Sequence, residues 1–295
     1  MKIALVDVDG RNFPNLALMK LSAWHKSRGD SVEWYDPLFS RPDRIYASKV
    51  FTFTTDFQDY AAGDPEPVRG GTGYDPDVKL PDEIERMIPD YSIYPEWGSA
   101  LGFLTRGCIR NCPWCIVPRK EGKLQVVDDI ERIAAGRRDV VLLDNNFLAA
   151  PGEFVREQLE KAARLGLRLD FNQGLDARLM TAENARLLTA CRWIRFIRFS
   201  CDTTAMIEPI RRAVRLIRET GSRRAIFCYM LVQDIGDAET RLRALVELGV
   251  TPFAQPYRDF TDNAATTKEQ RDFARFVNVK GGKLALKMSF KEYYH

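Results

Sequence analysis

At 295 residues the chain can bury a sizeable core, enough for two domains or one large one. Apolar residues make up 45% and charged ones 29%, ordinary for a globular protein, and there is no long uncharged apolar run to span a membrane. A net charge of +3 is too small to demand a nucleic-acid partner, and the opening MKIALVDVDG, interrupted by Asp7 and Asp9, does not read as a secretion signal. The expectation is a cytoplasmic protein whose six cysteines stay reduced, so that clustered ones serve as metal ligands rather than disulfides.

Lys2 to Val8 is an aliphatic, β-branched run that ends at Asp9-Gly10 and reads as a strand. Pro14 to Lys26 follows as a helix with Leu16, Leu18, Met19, Leu21 and Trp24 on its apolar face. Gly29-Asp30 breaks it, Ser31 to Tyr35 reads as a second strand, and Arg44 to Phe53 as a third. This β-α-β opening predicts a small Rossmann-like domain over residues 1–55. Residues 56–98, with Asp64-Pro65, Glu66-Pro67, Gly70-Gly71 and Asp75-Pro76, read as a loop-rich linker.

Beyond it the pattern becomes regular. Strand-like runs at Ala100–Thr105, Asp139–Leu143, Arg168–Phe171, Trp193–Ser200, Ala225–Val232 and Pro252–Pro256 alternate with helix-like segments. Those helices are Val126–Ala135, Gly152–Leu165, Thr181–Cys191, Met206–Thr220 and Asp237–Leu248, several closed by a glycine. Such alternation implies parallel pairing through right-handed crossovers, hence an α/β fold, a partial (β/α)6 barrel over residues 99–260. In such folds chemistry gathers at the carboxyl ends of the strands. Residues 261–295, with Phe273, Phe276, Phe290, Tyr293 and Tyr294 among lysines, predict an extension that caps the barrel or touches a substrate.

Cys108, Cys112 and Cys115 stand in C-x3-C-x2-C spacing, directly after the first strand of the repeating part. Thiolate sulfur is a soft ligand suited to zinc or iron–sulfur clusters. A closed zinc site needs four ligands, and no fourth is near: the histidines are His25 and His295, and Cys191, Cys201 and Cys228 are distant in sequence. Three thiolates suit a cubane cluster with one iron open to another ligand. Gly107 and Pro113 permit a tight loop, and Arg106, Arg110, Arg119 and Lys120 surround it with positive charge.

This motif, with Trp114 just before its third cysteine, resembles that of the radical S-adenosylmethionine (SAM) enzymes. The resemblance implies a [4Fe-4S] cluster on Cys108, Cys112 and Cys115, with SAM chelating the remaining iron and Trp114 beside it. It implies reductive cleavage of SAM to a 5′-deoxyadenosyl radical that abstracts hydrogen from substrate, fed by a one-electron donor such as a flavodoxin or ferredoxin. The radical chemistry belongs to the cofactors, and the protein orients them.

Other positions follow from the resemblance. Where the family carries a Gly-Gly-Glu-like element, this chain has Asp144-Asn145-Asn146-Phe147, similar to the Asp-Asp-x-Phe version of a subgroup with a cobalamin-binding domain. Asp144 and Asn145 become candidates to hold the SAM ammonium, or else form a polar strand end. Ser200-Cys201-Asp202 resembles the family's Ser-x-Asp strand end. Period-two alternation puts Arg198, Ser200 and Asp202 on one face, and a buried Arg198 needs an anion, either the SAM carboxylate or Asp202. Gln173, Asp176 and Arg178, after the third strand, are candidate substrate or SAM contacts at the same mouth. Val232 to Asp237 is similar to the family's adenine loop. The scattered spacing of Cys191, Cys201 and Cys228 argues against a second cluster; Cys191 and Cys228 read as buried packing residues, and Cys201 stands at a strand end near the mouth.

The opening domain and the approach "GGTGYDP" through "LPDEIERMIPDYSIYP" resemble the cobalamin-binding subgroup, yet its Asp-x-His-x-x-Gly motif is missing from "DVDGRNFPN". His25, inside the first helix, reads as a surface or packing residue. Cobalamin is therefore possible but not favoured. Arg186 to Arg224 holds ten arginines against Asp202, Glu208 and Glu219; this is a solvated face or a surface for phosphate, RNA or a nucleotide. Hydrogen abstraction from an unidentified substrate leads, ahead of cobalamin-assisted methyl transfer and RNA or nucleotide modification. The reading from another class is a zinc-stabilised, non-catalytic RNA-binding module, which the missing fourth ligand disfavours.

Overall fold

The computed structural model describes residues 1–58, 60–259, 264–280 and 282–294. His295 and the junction at residues 260–263, where the barrel was expected to end, lie outside the described residues. The chain is an α/β protein on parallel sheets and divides into two units, Met1–Leu101 and Gly102–His295. No described helix is long and apolar enough to cross a membrane.

The first unit runs β1 (Lys2–Asp7), α1 (Leu16–Ser27), β2 (Ser31–Trp34), β3 (Arg44–Ser48), β4 (Val68–Gly70) and the short helix α2 (Asp82–Glu85). Its sheet has the order β2-β1-β3-β4, every pair parallel. Ile3, Ala4 and Leu5 are consecutive and all buried, so β1 is covered on both faces; Leu18 and Met19 of α1 are buried with Ile45, and Asn15 caps that helix by accepting from Leu18 N at 3.3 Å. Two expectations are corrected here. β3 stops at Ser48 rather than Phe53, because its pairing with β1 ends there and the Asp9 carboxylate takes the amide of Val50. β4 lies inside the stretch read as loop, too short and too rich in flanking turn residues to show a period. His25 is a packing residue, fully buried, with Nδ1 2.7 Å from Asp30 Oδ2 and Nε2 3.1 Å from the Tyr46 hydroxyl.

β5 (Ala100–Gly102) falls at the boundary, and the second unit carries β6 (Thr105–Arg106), α3 (Val117–Lys120), β7 (Gln125–Val126), α4 (Ile130–Ala134), β8 (Asp139–Leu142), α5 (Gly152–Arg164) and β9 (Arg168–Phe171). It continues through α6 (Ala182–Ala190), β10 (Arg192–Trp193), β11 (Ile197–Ser200), α7 (Ile207–Glu219), β12 (Ile226–Val232), α8 (Ile235–Glu247), β13 (Thr251–Pro256), α9 (Lys268–Lys280) and α10 (Phe290–Tyr294). One sheet has the order β10-β9-β8-β5 and another β11-β12-β13. A parallel bridge from Leu175 to Phe199, with Leu175 N donating to Arg198 O at 2.8 Å, ties β11 to the segment after β9. The run Trp193–Ser200, expected as one strand, is therefore two. β10 pairs with β9, the chain crosses over at residues 194–196, and β11 pairs with β12.

The helices bury one face each. α7 turns Ile210, Ala213, Val214 and Ile217 inward and its arginines outward, with Arg211 on Glu208 at 3.0 Å and Arg215 on Glu219 at 3.7 Å. α9 covers the free side of β13, where the Asn278 side chain both accepts from Ala254 N (2.8 Å) and donates to Ala254 O (2.9 Å). Phe273, Phe276 and Phe290 pack on one another, the first and last 5.2 Å apart, so these aromatics of the extension are core.

Candidate functional site

The carboxyl ends of β8, β9 and β11 meet a loop, residues 107–122, that holds the three clustered cysteines. Its neck is built first. β6 and β7 pair antiparallel, Thr105 with Val126 and Arg106 with Gln125. Cys108 N donates to Gly122 O at 3.2 Å, and the Arg106 guanidinium clamps both oxygens of Glu121 at 2.9 and 3.1 Å. Gly107 sits at φ +77°, and a Cβ there would strike the carbonyl oxygen of Lys123 and come within 2.7 Å of that of Gly122. Gly107→Ala is expected to cost about 2 kcal/mol or more, from a left-handed alanine pressed on backbone, measurable as a lowered urea midpoint. An unchanged midpoint would mean the neck is slack.

Below the neck lies Asp144, 1% exposed at the end of β8. It accepts from Leu104 N (3.1 Å), Thr105 N (2.6 Å) and Thr105 Oγ1 (2.6 Å). Burial pushes its carboxyl up to about 6 despite these donors. All three donors are its own chain's, so its place in the fold is to anchor the neck.

None of the three cysteines is in a disulfide; Cys108 and Cys112 are half-buried and Cys115 is exposed. Cys108 Sγ accepts from Arg110 N at 3.3 Å and Asn146 Nδ2 at 3.5 Å. Burial raises the Cys112 thiol, opposed by the Arg178 charge; the Cys115 thiol, buried at its sulfur although the residue is exposed, is raised too, and Cys108 and Asp202 push both further up. Among the described residues no three His, Cys, Asp or Glu side chains converge as around a single ion.

Asp176 gathers the rim. It is 7% exposed and accepts from Arg178 N (3.1 Å), Arg178 Nε (2.7 Å), Arg178 Nη2 (3.0 Å), Arg110 Nε (3.1 Å) and Asn146 Nδ2 (3.3 Å). Burial alone would raise its carboxyl, but the hydrogen bonds and charge of Arg178, with those of Arg110, hold it below the usual range. Two buried amide atoms beside this network have no partner, Asn145 Nδ2 and Asn146 Oδ1. Asn146 is not among the residues singled out from the sequence, although it belongs to the same Asp144-Asn145-Asn146-Phe147 element.

The remaining candidates divide. Arg198 does not pair with Asp202. Its Nε and Nη2 bind Asp170 at 2.6 and 2.7 Å, and Nη1 donates to the Tyr229 hydroxyl at 3.1 Å. The bridge that seats β11 beside β9 brings Asp170 to Arg198, whereas Asp202 lies past the strand and accepts from Leu231 N at 3.1 Å. Burial raises the Asp202 carboxyl against the opposing Leu231 amide and the Arg241 and Arg178 charges. Ser200 is half-buried at the end of β11, Trp114 half-buried on the cysteine loop, and Gln173 exposed. The stretch from Val232 to Asp237 starts α8, with Asp234 capping it through Asp237 N at 2.7 Å. Cys191, Cys201 and Cys228 are buried, and burial lifts the first two to about 12. Their sulfurs face backbone: Cys191 donates to Leu159 O at 3.3 Å and Cys201 to Thr203 O at 3.8 Å.

The donor set fits an iron–sulfur cluster. It offers three unpaired thiols on one loop, two guanidinium groups to offset anionic charge, and buried amide atoms left for another ligand. A cubane spreads its ligands over separate iron corners, wider than the shell of one ion. Four-ligand zinc is not matched among the described residues. In the first unit, sheet order reverses between β1 and β3, where such folds hold ligands. There Tyr94, 4% exposed, donates to Asp7 Oδ2 at 2.7 Å and accepts from Asn15 N at 3.1 Å, and no histidine is among these described residues.

No protein-family model and no curated protein matches this chain. Among solved structures it is similar to OxsB, described as a cobalamin-dependent S-adenosylmethionine radical enzyme in its apo, selenomethionine-labelled form. The TM-score is 0.52 at 14% identity, over 98% of this chain and 56% of that one. The chain thus spans little more than half the length of OxsB, and the likeness is one of fold.

Proposed function

We propose that this chain is a radical SAM enzyme that holds a [4Fe-4S] cluster through Cys108, Cys112 and Cys115 and takes SAM at the remaining iron. The observation that carries this reading is the meeting of three unpaired thiols with unpartnered, buried Asn145 Nδ2 and Asn146 Oδ1 at the carboxyl ends of one set of strands. The OxsB fold likeness supports it. Cluster and SAM, once bound, supply one-electron cleavage of a carbon–sulfur bond and hydrogen abstraction from substrate.

The chain's own part is binding and orientation. Arg110 and Arg178, tied to Asp176, offset the negative charge of thiolates and sulfides. Asn145 and Asn146 offer a donor and an acceptor to the polar groups of SAM, with Trp114, Ser200 and Asp202 around them. Arg198 keeps the strand end in place through Asp170 rather than binding SAM directly. Gln173 is left facing the substrate side. In domain terms, β5, β8, β9, β11, β12 and β13 are the six strands of a partial barrel over residues 99–260, with a Rossmann-like domain at 1–55, a linker at 56–98 and an extension at 261–295. A flavodoxin or ferredoxin is the electron donor this chemistry requires.

Electron paramagnetic resonance of anaerobically purified, dithionite-reduced protein tests it. A four-iron signal that changes on adding SAM is the expected result. Absence of iron, with one tightly held zinc per chain, would overturn the reading in favour of a metal-stabilised binding module.

A further inference from the structure

A hollow lies on the opposite side of β11 from the cysteine loop, at the strand's amino end. The amino ends of β10, β11 and β12 surround this hollow of about 450 Å³, within the range of small-ligand pockets. The buried Trp193 and Ile197 close its base, and Arg195, Arg223, Arg224 and Ser222 stand on its rim. No acidic side chain lines it.

Some guanidinium groups of this unit lie against carboxylates, as in Arg106 with Glu121, Arg168 with Asp139, Arg198 with Asp170 and Arg241 with Asp237; those around the hollow do not. Among the described residues the side chains of Arg195, Arg223 and Arg224 make no hydrogen bond or ion pair. Three like charges around one concavity repel, and a bound anion relieves that repulsion. The loop that presents two of them is braced from beneath. Arg218 Nη1 donates to Ser222 O at 3.1 Å and Arg224 O at 2.9 Å, and Arg224 N donates to Ser222 Oγ at 3.3 Å. Planar guanidinium forks on a fixed loop suit the paired oxygens of a phosphate.

We propose that this hollow binds a small phosphate-bearing ligand, its phosphate on Arg195, Arg223 and Arg224. The cysteines stand at the opposite, carboxyl ends of the strands, so a ligand here is not the molecule presented to them. The site stands whether or not the cluster assignment does.

Calorimetric titration of the full chain at low salt, with pyrophosphate, adenosine monophosphate and a short single-stranded RNA as probes, tests it. The expected result is saturable binding of pyrophosphate or the mononucleotide that weakens at least about tenfold in Arg195→Gln and in Arg223→Gln/Arg224→Gln. It should also weaken as salt rises. The control Arg211→Gln/Arg215→Gln, on the outer face of α7, should bind as wild type. Binding of RNA alone, governed by the same three positions, would support the site with a strand as its phosphate source. Absence of saturable binding for every probe, or equal losses in hollow and control variants, would overturn it.

Discussion

Cys112→Ala is expected to remove nearly all bound iron, roughly a tenfold loss or more, while leaving the fold intact. The proposed cluster would have only three protein ligands to lose. Cys191, Cys201 and Cys228 cannot substitute, because each is buried and the sulfurs of Cys191 and Cys201 are turned to backbone carbonyls. Removing a half-buried loop thiol opens no core cavity, so circular dichroism should be unchanged. Cys191→Ala is the control and should keep its iron. Iron content and visible absorbance after anaerobic reconstitution decide the matter, and iron retained equally in both variants would end the assignment.

The largest loss of stability is expected from Asp144→Ala, about 3 kcal/mol or more, because Leu104 N and Thr105 N are left buried without acceptors. The neck of the cysteine loop loosens with it, so iron retention should fall as well. Its titration gives a second readout. The folded carboxyl sits near 6, above the ordinary 3.8, because burial disfavours its charge. The folded state therefore binds the proton more tightly, and this group's stabilising contribution is full below about 3.8 and lost as pH rises through about 6. Wild type should lose stability relative to Asp144→Asn across that window in urea melts. A pH-independent difference would show that Asp144 is not the titrating group.

That role differs from the one the chain suggests when read as a string. Asp144-Asn145 looked like a ligand pair for an ammonium, yet Asp144 is saturated by the preceding strand's own amides, and the adjacent amides Asn145 and Asn146 carry the open valences. Arg198 was recognised as a buried cation in need of an anion, but its partner, Asp170, lies on another strand and no local spacing points to it. The aromatics of the extension read in the sequence as a cap on the barrel or a contact for substrate, and α9 against β13, with Phe273 on Phe290, makes them core.

What the sequence determined by itself is whatever depends on neighbours along the chain. The C-x3-C-x2-C spacing, the alternation of short apolar strands with amphipathic helices, and the placing of the cysteines after a strand all rest on periods of a few residues. Only the tertiary structure decided which strands adjoin. The bridge from Leu175 to Phe199 sets β11 beside β9, pairs Arg198 with Asp170, and splits one apparent strand into β10 and β11. The same adjacency opens the arginine-rimmed hollow at the far ends of those strands. Side chains remote in sequence acquire partners only when backbone hydrogen bonding fixes strand order, and one residue's spacing from its neighbours carries no record of that order.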